Sequence, residues 1–258
     1  MAYRTLELEH DGPVARVWLA RPERRNALNT TALEEIADCF GRLQTEFETR
    51  VVVLGGRGKS FCAGADRRDP PGAARLAGDS GATPRERRWA TQLGRRACAA
   101  IESLEAVTVA RIQGHAVGGG CALAVACDFR VAAEGTLFHV PEVDLGLPLS
   151  WGATPRLIRE IGPPRARELI LLCERIDAAR ALDWGLVNRV VPEAGLDAEV
   201  DALVERLVAK PELAVHMTLT QLRGYAATAS LGDATEADGD LLFAASTSAA
   251  ARRSFGGD

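Results

Sequence analysis

The sequence predicts an α/β core followed by a helical C-terminal region, and three observations predict it. Short apolar runs of strand length alternate with helix-period segments over the first three quarters of the chain. Glycine-rich or small-residue turns come after two of those runs. Beyond residue 196 the strand signal stops and only an amphipathic helical pattern remains. The expected division is therefore residues 1–196 for the core and 197–258 for the helical region.

Taken in order, Val14–Leu19 (VARVWL) alternates and is rich in β-formers, so it reads as a strand, ended by Arg21-Pro22. A helix begins at about Thr31. Thr31 and Glu34 make a capping-box pattern, and Leu33, Ile36, Phe40, Leu43 and Phe47 step by three and four. Residues 51–54 (VVVL) are continuously apolar, as in a strand covered on both faces. Residues 69–84, rich in Gly, Pro and Ala, read as a mobile surface loop. A helix is expected over 85–104, a strand at Val107–Ile112, a helix opening at Gly118 to Gly120, and a strand at 129–132. From Gly152 the pattern gives helices over 153–162, 164–176 and 177–185, each closing in a glycine or turn, and a brief extended return over 186–191.

Composition narrows the function. Apolar residues make up 47% and charged residues 26%, enough for a core and against general disorder. The net charge of −4 leaves no basic footprint for nucleic acid. The six cysteines form no CxxC pair and share no metal-ligand spacing with the four histidines, so they read as reduced and buried, with no metal site expected. No apolar leader and no uncharged run of ~18 residues is present, so the cytoplasm is the expected compartment and no membrane partner is expected.

Three segments could carry chemistry. The first is Ser60-Phe61-Cys62-Ala63-Gly64-Ala65-Asp66, after the VVVL strand. Its small residues let a backbone approach a ligand, and such a turn can aim a free N–H into a pocket. Asp66 can cap the segment after it. The second is Gln113 to Ala122 (QGHAVGGGCA), where three glycines enter an apolar helix and expose amides at its positive end. That suits an anion or a developing oxyanion. Neither GxGxxG nor GxxxxGK[ST] fits, so nucleotide binding is disfavoured. The third is Phe138 to Gly146 (FHVPEVDLG), where Val140, Val143 and Leu145 could desolvate Glu142 and make it a general acid or base near neutral pH. Alone, each segment also fits a plain structural role: a tight turn, a helix packed closely on a sheet, a solvated glutamate.

Together, in this order and spacing, the three segments resemble the signature of the crotonase (enoyl-CoA hydratase/isomerase) superfamily. Residues 20–29 (ARPERRNALN) resemble its CoA-side segment, 142–162 (EVDLGLPLSWGATPRLIREIG) the segment after its catalytic glutamate, and 181–191 (ALDWGLVNRVV) the strand before its helical C-terminus. The likeness runs over about residues 3–255. It implies a crotonase-like spiral of ββα units with a helical C-terminal oligomerisation region that builds homotrimers or hexamers. It implies an acyl-CoA substrate and no separate cofactor. The oxyanion hole would be the amides of Ala65 and Gly119, with Glu142 catalytic. Arg25, Ala27 and Ala63 would belong to the CoA and substrate site, as would Asp66, Gly118, Trp151 and Phe255; Arg24, Arg252 and Arg253 are further candidates for the CoA phosphates.

One departure directs the functional reading. Hydratases of this family carry two glutamates, and the second would fall at Ala122, which has no titratable group. A single carboxylate can take a proton from C2 and return it at C4, so the resemblance favours an enoyl-CoA isomerase. The alternatives are a hydratase, another acyl-CoA enolate reaction such as decarboxylation or C–C cleavage, and a non-catalytic acyl-CoA-binding member. On this reading Ala122→Glu alone is expected to raise hydration.

Overall fold

The computed structural model describes residues 3–229 together with Gly239 and Asp240. The expected CoA contacts Phe255, Arg252 and Arg253 lie outside the described residues.

A six-stranded sheet forms the centre. It contains β1 (Leu6–Asp11), β2 (Val14–Leu19), β3 (Val51–Gly56), β4 (Val107–Ile112), β6 (Phe129–Ala133) and β9 (Arg189–Val191), in that spatial order. The β1–β2 pair is antiparallel and every later pair is parallel. A smaller sheet of β5 (His115–Val117), β7 (Leu137–His139) and β8 (Ile176–Asp177) stands beyond it. The expected strands all form, most within two residues of their limits; the extended return expected over 186–191 is reduced to β9, which begins at Arg189. β1 is not expected from the sequence, because its residues are mostly exposed and polar (LELEHD). Asp11-Gly12 is its one sequence mark, with Gly12 at φ +54° in the hairpin turn.

The apolar run of β3 has the cause the sequence suggested. Val52 and Leu54 join the main core, and Val51 and Val53 join a second apolar cluster on the other face. The main core includes Leu33, Ile36 and Phe40 of α1 (Thr30–Leu43) and, further along the chain, Ala97, Cys98 and Ile101. α1 is capped by Asn29, which accepts the Ala32 amide at 3.0 Å, and not by Thr31: Asn29 has the extended backbone a cap needs, while Thr31 is already helical.

The loop over 69–84 contains a single helical turn, α2 (Ala73–Leu76). The expected helix over 85–104 is two, α3 (Pro84–Thr91) and α4 (Leu93–Glu102), divided at Gln92 (φ −93°, ψ 2°). Neither glycine nor proline marks that break. α5 (Gly119–Val125) is buried at every position. α6 (Ala153–Leu171) is kinked at Gly162, φ +74° and ψ 161°, where the sequence places the end of one helix and the start of another. It stops before the expected residue 176, since Ile176 pairs with Phe138 in the small sheet. α7 (Ala178–Trp184) is capped by Asp177 and closed by Gly185 in the left-handed conformation. α8 (Leu196–Val208) lays Leu196, Val200, Leu203 and Val204 on the second face of the large sheet. α9 (Glu212–Ala229) comes next.

Two parallel neighbours position the site. β3 and β4 run in register from Val51–Val107 to Leu54–Ala110, so the turns leaving their C-terminal ends emerge side by side. That edge is where α/β sheets hold ligands.

Candidate active site

The turn after β3 is stitched to the segment after β4. The Phe61 amide donates to Gln113 O at 2.8 Å, the Cys62 amide to His115 O at 2.9 Å, and the Val117 amide to Cys62 O at 3.0 Å. On its other side the turn pairs with the 20–29 segment: the Leu28 amide donates to Gly64 O and the Asp66 amide to Leu28 O, both at 2.8 Å. Gly64 and Asp66 thus face Leu28, and the strand-like alternation turns the Ala65 amide the other way. It donates to no acceptor among the described residues, and Ala65 is exposed.

The second amide arises at the start of α5. Gly118 adopts φ +49°, ψ −109°, and its amide donates to His139 O at 2.8 Å. The first helical bond runs from the Ala122 amide to Gly118 O at 3.0 Å, so Gly119 lies in the first turn, whose amides have no intrahelical acceptor. The two turns touch. A Cβ on Gly64 would stand 2.7 Å from Val117 O and 3.6 Å from the Gly119 nitrogen, so only glycine, here at φ +85°, allows this approach.

Glu142 reaches the same place from the loop after β7. A Cβ on Gly118 would stand 2.3 Å from Glu142 Oε1, so the carboxyl rests on the bare backbone of Gly118. Oε2 is buried with no hydrogen-bond partner among the described residues. Burial pushes the carboxyl up to about 7 from an ordinary 4.5, against a downward pull from its own backbone amide. The flanking residues are only part of the cause. Val140 is buried, but Val143 is 39% exposed; Gly118 at the head of α5 supplies the contact that adjacent sequence does not.

The other expected residues are placed around this centre. Ala122 is 1% exposed, one turn along α5 from Gly119. Trp151 lies across Gly119: a Cβ there would be 2.2 Å from its Cζ3. Ala63 donates its amide to Arg25 O at 3.0 Å, which ties the CoA-side segment to the turn; the Arg25 residue is exposed and Ala27 is buried. Asp66 is buried, with Oδ2 2.8 Å from Arg21 Nη2 and Oδ1 accepting the Arg68 and Asp69 amides at 3.0 and 3.3 Å. Burial pushes its carboxyl up, and the Arg68 amide and Arg21 more than reverse this, holding it below the ordinary value.

Sequence reasoning passed over two supporting residues. Asn26, 1% exposed and at φ +57°, accepts the Arg21 amide through Oδ1 and donates through Nδ2 to Arg57 O and Ser60 O. An asparagine in a turn that tolerates the left-handed region was the available signal. Arg156 donates to Trp151 O and Gly152 O at 3.1 and 3.0 Å; the sequence offers no mark of that contact.

Two outward amides beside a carboxyl poised near neutrality can polarise a carbonyl and move a proton on the adjacent carbon. Comparison with known proteins shows the family. The enoyl-CoA hydratase/isomerase family model matches residues 9–255. Crotonyl-CoA hydratase of Syntrophomonas wolfei is 36% identical over 219 residues, spanning 84% of this chain and 81% of the relative. The human mitochondrial Delta(3,5)-Delta(2,4)-dienoyl-CoA isomerase is 34% identical over 216 residues, 81% of this chain and 65% of the relative. The crystal structure of an enoyl-CoA hydratase from Mycobacterium avium subsp. paratuberculosis superposes with a TM-score of 0.86 at 28% identity, covering 98% of this chain and 95% of that one. With the crotonase fold and a match over nearly its whole length, the chain is an enzyme of the enoyl-CoA hydratase/isomerase family.

Proposed function

We propose that the protein isomerises an enoyl-CoA, with the Ala65 and Gly119 amides receiving the thioester oxygen and Glu142 carrying the proton between C2 and C4. Removing a proton α to a thioester makes an enolate whose charge falls on that oxygen, so donors aimed there stabilise the transition state more than the ground state. One such donor is typically worth about 2.7–4 kcal/mol. The observation that carries the reading is the pairing of one desolvated carboxyl on Gly118 with an alanine at position 122, where a second carboxylate would hold water.

The test is turnover on paired 2-enoyl- and 3-enoyl-CoA substrates. Isomerisation of the 3-enoyl thioester is expected to outpace hydration of the 2-enoyl thioester. The reverse order favours the hydratase reading, which the name of the Syntrophomonas relative, crotonyl-CoA hydratase, supports. Turnover of neither, with tight thioester binding, favours a non-catalytic member.

Assembly belongs to the same proposal. α9 leaves Leu213, Met217, Leu222 and Tyr225 each at least 59% exposed, an apolar surface suited to burial against other copies in a trimer or hexamer. Light scattering is expected to give that mass at micromolar concentration, and a monomer would refute it. Cytoplasmic residence is proposed on the six buried, unpaired cysteines.

A further inference from the structure

Trp151 has a placement that proton transfer by Glu142 does not require. Its backbone is left-handed, φ +61°, a conformation that a bulky residue holds only when its surroundings impose it. The surroundings are specific. Arg156 donates to the carbonyls of Trp151 and Gly152 and pairs with Glu102 of α4, which also accepts Arg159 at 2.9 Å. The turn before α6 is thereby tied to α4, and the indole is driven between α4 and α5.

Both helices meet the ring with glycine. A Cβ on Gly94 would stand 2.0 Å from Trp151 Cδ2, and one on Gly119 would stand 2.2 Å from Cζ3. The first turn of α5 is therefore bracketed, with Glu142 resting on Gly118 and the indole on Gly119. Ala122 comes three residues after Gly119, so it lies on the same side of the helix, and it is 1% exposed. That side of α5 is filled by packed side chains.

We propose that Trp151 is a specificity-determining residue that holds the site to proton transfer by occupying the volume a second carboxylate and its water would need. The proposal rests on the enolate reading above. In isomerisation, Glu142 takes the C2 proton and the C2–H electron pair becomes the enolate; the C3–C4 π pair then bonds the proton returned at C4, while the enolate pair becomes the C2–C3 π bond and the thioester carbonyl re-forms. In hydration, a water oxygen bonds to C3 as a carboxylate takes one of its protons, the C2–C3 π pair moves onto the thioester as enolate, and C2 then takes a proton from a carboxylic acid as the carbonyl re-forms. Only the second path needs a water held beside C3, and the indole excludes it. Sequence alone expects Ala122→Glu to suffice for hydration; with the indole in place the new carboxylate has no room.

The experiment compares the full-length parent with Trp151→Phe, Trp151→Ala, Ala122→Glu and the Ala122→Glu/Trp151→Ala double variant. Two readouts are taken: conversion of a 3-enoyl to a 2-enoyl thioester, and heavy oxygen entering C3 from heavy-oxygen water, read by mass spectrometry. Conversion of the 3-enoyl thioester tests the enolate chemistry, and the ratio of heavy-oxygen product to isomerised product tests Trp151. The expected result is a low ratio in the parent and in Ala122→Glu, a higher one in Trp151→Phe, and a rise of about tenfold or more in the double variant. An Ala122→Glu ratio equal to that of the double variant would overturn the proposal. So would a parent-like ratio in every folded Trp151 variant, with Trp151→Phe deciding if Trp151→Ala does not fold. A parent that converts no 3-enoyl thioester to the 2-enoyl thioester overturns the proposed isomerisation and this inference with it, whereas retained conversion with an unmoved ratio overturns this inference alone.

Discussion

Glu142→Gln is expected to lower turnover by about 10²–10⁴-fold, the usual loss when general acid/base action is removed. Glutamine keeps the size of the side chain but cannot accept the C2 proton. The same substitution is expected to stabilise the fold above neutral pH. The Glu142 carboxyl is held near 7 by burial, against an ordinary 4.5, so the folded protein binds this proton more tightly than the unfolded chain does. The stability it contributes is complete below about pH 4.5 and is lost as pH rises toward 7. Above that range the parent carries a buried, unpaired charge, and Glu142→Gln should exceed it by about 3 kcal/mol. Urea melts at pH 4 and pH 8 check this: the difference should be small at the lower pH and full at the higher one. Activity should run the other way, with parental kcat/KM rising through pH 7 as the base ionises. A variant that keeps its activity would show that the catalytic carboxylate is elsewhere, and a stability difference that does not change with pH would show that burial does not raise the Glu142 carboxyl.

Gly119→Pro is expected to abolish turnover, and Gly119→Ala separates the cause. Both substitutions add a Cβ that meets Trp151 at 2.2 Å, so both force the indole or the helix to move. Only proline also deletes the amide. Gly119 is the first residue of α5, a position where helices accept proline, so α5 itself should survive. Loss of an oxyanion donor typically costs about 10²–10³-fold in kcat, and the proline variant should fall below the alanine variant by at least that factor. Equal activities in the two folded variants would remove Gly119 from the oxyanion hole.

The legible parts of the fold are those whose physics is local. β2 and β4 announce themselves because each buries most of its side chains, and the kink at Gly162 is written in Gly-Pro-Pro. β1 hides because a sheet edge can be polar. β5, β7 and β8 hide because three residues or fewer carry no period. The division at Gln92 falls where no glycine or proline stands to signal it. In the site, the glycine-rich turns and Glu142 are visible as residue types, and the ordered set of segments points to a family. The contacts that give them their properties join distant parts of the chain: Gly94 to Trp151, Glu102 to Arg156, Gly118 to Glu142. No window of sequence contains both members of any of these pairs.

The two outward amides belong to the main chain, and that has a consequence for how the protein can change over generations. A codon change at Ala65 alters an exposed side chain and, unless it encodes proline, leaves the N–H in place. Trp151 and Ala122 carry no such protection, since what they contribute is lost with the side chain. Random substitution therefore reaches the walls of the site long before it reaches the amides proposed to stabilise an enolate. A lineage built on this scaffold can pass through variants that accept a different acyl group, or admit water, without an intermediate that has lost its chemistry.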